Sequence, residues 1–136
     1  MTDRKYAEYA WEQTEKLLNT DSPTGYTSAA AEYLKNAFEK LGFETEVTVK
    51  GGVFVTLGGT GNPILLEAHT DTLGGMVAEV KPNGRLRLTP LGGMNPSNAE
   101  TENVRIITRG GKIFEGTLQL CNASIHVNSK FSETVR

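Results

Sequence analysis

The chain has 136 residues, a length that predicts one domain at most. With Gly counted beside the other apolar residues and Tyr left out, its composition meets the about 45–50% of ordinary globular domains, which excludes wholesale disorder. Lys+Arg 14 against Asp+Glu 16 gives net charge -2 without a basic stripe, so no nucleic-acid partner is expected.

The opening Met-Thr-Asp-Arg-Lys-Tyr leads into an amphipathic helix, not into the apolar core of a secretory signal. Tyr6, Ala7, Ala10, Trp11, Thr14, Leu17 and Leu18 recur at i, i+3, i+4 spacing and form one face of it. Asn19-Thr20-Asp21-Ser22-Pro23 ends the helix, because Pro disfavours helical geometry at the residue before it. A second helix is predicted from about Ser28 to Leu41, with Ala30, Tyr33, Leu34, Ala37, Phe38 and Leu41 inward. Gly42 follows as its left-handed cap.

From Phe43 the period changes to two. Phe43, Thr45, Val47 and Val49 alternate with Glu44, Glu46 and Thr48, a half-exposed strand. Gly51-Gly52 turns the chain into Val53–Leu57, and Gly58–Pro63 turns it into Ile64-Leu65-Leu66-Glu67-Ala68, a run typical of a buried strand. Beyond Asp71 no helix is predicted. Met76–Lys81 and Arg85–Thr89 flank Pro82-Asn83-Gly84, a hairpin signal. Asn103–Arg109 and Lys112–Leu118 flank Gly110-Gly111 as a second hairpin. Strand is also expected at 118–120 and at Ser124–Val127, and a loop over Gly92–Asn98. A boundary near Leu73-Gly74-Gly75 separates residues 1–73, mixed α/β, from residues 74–136, all-β. Ile64–Leu66 is far short of the roughly 20 residues of a membrane span, so no membrane partner is expected. The single Cys121 cannot form an internal disulfide and fits a reducing compartment. A cytoplasmic protein is the expectation.

The best candidate chemistry lies in Glu67-Ala68-His69-Thr70-Asp71, at the carboxyl end of the most apolar predicted strand, where open α/β sheets bind ligands. Residues i and i+2 of a strand share a face, which brings the Asp71 carboxylate to the His69 imidazole. Such a carboxylate fixes the tautomer and leaves the other ring nitrogen for a metal. A surface His beside a surface Asp is the plain alternative. The five Gly-Gly pairs (51–52, 58–59, 74–75, 92–93, 110–111) lack the strand, helix and spacing of a phosphate loop and are expected to be turns. His126 fits a structural strand residue better than a ligand. Cys121 has no local sign of activation. Asn122-Ala123-Ser124 matches a glycosylation sequon without a signal peptide, and Ser22 and Ser28 lack a nucleophile elbow.

Together these features resemble the start of the tetrahedral, or glutamyl and deblocking, aminopeptidase family of two-metal exopeptidases. The resemblance runs through the N-terminal helix, Ser22-Pro23-Thr24-Gly25, the second helix, Ala68-His69-Thr70-Asp71, Asn103–Thr108 and Ser124–Val127. Thr70 and Thr72 stand where the family commonly has Met and Glu, and Gly75 where an aromatic is usual. A larger dipeptidase and deacylase family also uses His-x-Asp-Thr, but there the inserted domain comes later and mixes helix with sheet.

The resemblance implies that 1–73 opens an α/β catalytic domain and that 74–136 is part of a β-rich, partial-barrel insertion used for dimerisation or as a lid. It implies that His69 ligates one metal of a pair and that Asp71, as a catalytic residue, orients that imidazole. Two divalent ions, zinc or cobalt, would serve the whole enzyme, of which this chain binds at most one, weakly. Peptides are the implied substrates, and a homo-oligomer through the β-rich region the implied assembly. The bridging Asp, the Glu base and the other ligands have no counterpart here, so the chain is expected to be an inactive N-terminal piece of an aminopeptidase. The alternatives are a non-catalytic β-rich interaction module or a related two-metal dipeptidase or deacylase.

Overall fold

The computed structural model describes residues 3–119, 121, 123–130 and 133. They form two compact units, Met1–Gly92 and Gly93–Arg136. The predicted α/β class is met by helices and small antiparallel hairpins; no closed barrel forms among the described residues. No described helix is long and apolar enough to cross a membrane.

Helix α1 (Arg4–Leu18) starts at Asp3, whose side chain accepts from the Lys5 amide at 3.3 Å and caps the first turn. Its expected apolar face is open: Tyr6 is 63% and Trp11 75% exposed. The helix instead meets α2 (Ser28–Lys40) along another side, where the Tyr33 hydroxyl donates to Gln13 Oε1. On α2 the predicted inward face holds, with Ala30 and Ala31 buried and Tyr33, Leu34, Ala37 and Phe38 half-buried. Leu41 departs from it and is exposed. Gly42, at φ +88, donates to the Glu39 carbonyl at 2.9 Å, and the Phe43 amide reaches back to Phe38 at 3.1 Å. This hydrogen-bond pair is a Schellman cap, and its usual apolar contact is present as Phe38 and Phe43 edge-to-face at 6.5 Å.

Strands β1 (Thr45–Val47) and β2 (Val53–Val55) pair antiparallel beneath α2. β1 is shorter than the alternation predicts, because Thr48 already begins the turn and Val49 stands fully exposed at its tip. The same turn recurs in all three hairpins. In each, a residue donates its amide to the carbonyl four residues on (Thr48 to Gly52, Lys81 to Arg85, Thr108 to Lys112), and the glycine between closes an i to i+3 bond. Those glycines, Gly51, Gly84 and Gly111, have φ of 84, 78 and 79, the left-handed geometry of a three-residue hairpin loop.

β3 (Gly74–Val80) pairs with β4 (Leu86–Leu91), with a bulge between Val77 and Glu79. In the second unit, Asn95 caps a single helical turn, α3 (Pro96–Ala99), by accepting from the Ser97 amide at 3.0 Å. The expected loop there is thus partly helical, because Pro at the first position and Asn before it favour a helix start. β5 (Asn103–Ile107) and β6 (Ile113–Thr117) pair in register from Asn103↔Thr117 to Ile107↔Ile113.

Three expectations are corrected. Ile64–Ala68 is not a strand among the described residues, and Ile64, Leu65 and Leu66 are 89%, 72% and 83% exposed. An apolar run becomes a buried strand only beside neighbours that pair with its backbone, and no described strand pairs with it. Ser124–Val127 is a turn, closed by the Asn128 amide on the Ser124 carbonyl at 3.0 Å, and it carries His126. Gly74-Gly75 is not a turn but the start of β3. Cys121 is exposed. Leu118 extends the β5–β6 ladder through bonds with Thr101 and Glu102, while Leu120 and Asn122, from the expected strand and sequon, lie outside the described residues.

Candidate functional site

The site is built where two irregular segments cross. Ser22, only 1% exposed, donates its hydroxyl to the Thr70 carbonyl at 2.7 Å, and its own carbonyl accepts from the Thr72 amide at 2.8 Å. The Thr24 amide then bonds the Thr72 carbonyl at 3.3 Å, and Pro23 and Thr72 form a parallel bridge. The stop signal that ends α1 therefore has a second use. It returns the chain as a backbone clamp on residues 70–72.

Asp71 sits inside this clamp. Its Oδ2 accepts from the Thr24 hydroxyl at 2.7 Å, and its Oδ1 lies 3.0 Å from His69 Nδ1. The Asp71 carbonyl is also 3.2 Å from Nδ1. Both of these partners are acceptors, so Nδ1 carries a proton and a neutral ring keeps its free lone pair on Nε2. The His69 side chain is 85% exposed, leaving Nε2 accessible. The hydrogen bond from Thr24 holds the Asp71 carboxyl below its ordinary pKa; partial burial opposes this, and the His69 hydrogen bond adds to it. Asp71 is thus an ionised acceptor well below neutral pH.

The structure brings together both predicted site residues, His69 and Asp71. The reason is different from the predicted one. Residues 63–71 have no strand pairing, so period-two geometry does not place them; the clamp from Ser22–Thr24 does. Thr24 escapes sequence reasoning because 47 residues separate it from Asp71, and no local pattern links them. The Ser22-Pro23-Thr24-Gly25 turn is the one trace of it in the sequence.

A cleft of about 270 Å³ opens beside Asp71. Ala31, Leu34 and Val53 give it an apolar wall; Thr24, Thr27, Thr70 and Lys50 give it polar groups. Chemically, the neutral form of His69 offers an oriented lone pair at Nε2, the arrangement a metal-bound histidine needs. Among the described residues, no group of three or more His, Cys, Asp and Glu side chains converges to complete a coordination sphere. His126 lies in the other unit, on the turn described above.

Comparison with known proteins adds the context. The family model described as M42 glutamyl aminopeptidase matches residues 51–135. The YhfE protein of Bacillus subtilis is 37% identical over 85% of this chain and 34% of its own length. The glutamyl aminopeptidase of Lactococcus lactis subsp. cremoris is 31% identical over 75% of this chain and 30% of its own. A lysyl aminopeptidase of Pyrococcus furiosus is 24% identical over 75% of this chain and 30% of its own. The chain spans about a third of the length of these relatives.

Proposed function

Because the chain belongs to the M42 glutamyl aminopeptidase family, we propose that it serves a metal-dependent aminopeptidase that removes N-terminal residues from peptides. The observation that carries this reading is the His69–Asp71 pair, with Nδ1 bonded at 3.0 Å and Nε2 open. His69 is the metal ligand, through Nε2. Asp71 acts by accepting the Nδ1 proton, which fixes the tautomer and makes the imidazole a better donor. When bound, a pair of divalent ions, zinc or cobalt, supplies Lewis-acid polarisation of the scissile carbonyl and acidification of water. The cleft beside Asp71 gives a peptide an apolar wall against which to lie. On this reading residues 1–73 belong to the catalytic α/β layer and residues 74–136 to a β-rich, partial-barrel insertion. The free thiol of Cys121 fits a reducing compartment and supports a cytoplasmic location.

The test is a hybrid enzyme in which this sequence replaces the matching third of the Lactococcus lactis relative. It is expected to hydrolyse glutamyl anilides, to lose that activity to a chelator, and to regain it with zinc or cobalt. Chelator-insensitive hydrolysis would end the metal assignment.

The β-rich part is also the proposed surface for self-association. Among the described residues each hairpin is a two-stranded sheet, and the edges of such small sheets template joining to another chain. Ile113 and Phe114 on β6 are 53% and 47% exposed. Light scattering after size exclusion is expected to give a multiple of the 14.8 kDa chain mass; a monomer that persists at high concentration refutes it.

A further inference from the structure

We propose that Thr24 is a positioning residue: its hydroxyl turns the Asp71 carboxylate toward His69 and so holds the imidazole with its proton on Nδ1. It rests on the aminopeptidase reading only for the use to which that ordered imidazole is put.

The geometry has three parts. First, the two carboxylate oxygens of Asp71 are divided between two partners, Oδ2 to Thr24 at 2.7 Å and Oδ1 to His69 at 3.0 Å. The final torsion of an aspartate is broad and nearly two-fold, so one fixed oxygen is needed to aim the other. Second, the imidazole cannot aim itself. Its side chain is 85% exposed, and water competes for each ring nitrogen. Third, the Thr24 hydroxyl is anchored without Asp71. Its own amide bonds the Thr72 carbonyl at 3.3 Å, next to the Pro23–Thr72 bridge. Order passes from the backbone clamp to Thr24, then to the carboxylate, then to the ring. Ser22 differs from Thr24 in this respect, because its hydroxyl ties a backbone carbonyl and leaves the carboxylate untouched.

The experiment is nitrogen NMR of the imidazoles in the 136-residue chain, at a pH where both histidines are neutral. His126, exposed on its turn, is the internal reference for an imidazole equilibrating with water. His69 is expected to show the Nδ1–H pattern, while His126 shows the Nε2–H form that a solvent-exposed histidine side chain favours. Thr24→Val removes the hydroxyl and keeps the shape; it is expected to shift His69 toward the His126 pattern. Thr24→Ser restores the hydroxyl and is expected to restore the Nδ1–H pattern. Amide exchange at Thr72 separates positioning from folding. In Thr24→Val its protection is expected to stay at the wild-type level. An unchanged His69 pattern in Thr24→Val overturns the proposal. So does a shift accompanied by lost Thr72 protection, which would make the hydroxyl a tie in the fold. The readout needs no turnover, so an inactive hybrid removes the aminopeptidase reading and leaves this one to its own result.

Discussion

Replacing His69 with alanine is expected to abolish anilide hydrolysis in the hybrid enzyme while leaving the fold intact. The side chain is 85% exposed and its hydrogen bonds run to Asp71 alone among the described residues, so little packing is lost. What disappears is the one nitrogen lone pair that the clamp presents to a metal. Asp71→Asn is expected to be milder. The amide can still sit between Thr24 and His69, but it no longer offers an anionic acceptor for Nδ1–H. Changes to a residue that orients a ligand commonly cost about 10–100-fold in metal affinity or activity. The expected order is therefore His69→Ala below Asp71→Asn below wild type, with the alanine loss exceeding roughly 100-fold. The urea midpoint of each variant serves as the folding control. Full turnover in His69→Ala would remove this residue from the site.

Gly74→Ala should be the most damaging single-methyl addition to the first unit. A Cβ built on Gly74 lies 2.7 Å from Pro23 Cβ, well inside contact distance. Pro23 cannot swing away, because its ring is part of the backbone and both neighbours are bonded to residues 70–72. Relief must come from parting the Pro23–Thr72 bridge, which also carries Thr24 away from Asp71. Forcing a methyl group into a filled space typically costs about 1–3 kcal/mol. The lower urea midpoint should be accompanied by loss of the Nδ1–H pattern at His69. Gly75→Ala is the control on the neighbouring residue. There the nearest atom is Leu88 Cδ1 at 3.6 Å, an ordinary contact, and near-wild-type behaviour is expected. Equal stability for the two variants would show that the close approach at Gly74 is not what seats the clamp.

These two glycines also mark where sequence patterning stops. As a Gly-Gly pair, 74–75 looks the same as 51–52 or 110–111, and composition alone assigns all of them to turns. Gly51 and Gly111 are in turns, because each supplies a positive φ to a three-residue hairpin loop. Gly74 instead lies in a strand, and its lack of a side chain admits Pro23 from 51 residues earlier in the chain. Local sequence does not encode that encounter.

What the sequence determined by itself is everything that rests on neighbours in the chain. The helix of α2 and its Gly42 cap and the three hairpins are of this kind. Each depends on spacing or on backbone freedom within a few residues. The two-residue spacing of His69 and Asp71, by contrast, only makes them neighbours, and the clamp holds them together. The tertiary structure alone decided which side of α1 is covered, and that Ile64–Leu66 stands exposed without strand partners. It alone set Ser22 and Thr24 against Thr70 and Asp71, across separations of 48 and 47 residues. The physical reason is that periodicity reports which face of an element is apolar, whereas the partner of a polar group is chosen by the path of the folded chain. Asp71 could be read as a carboxylate beside an imidazole; that a threonine near the end of α1 would aim it could not.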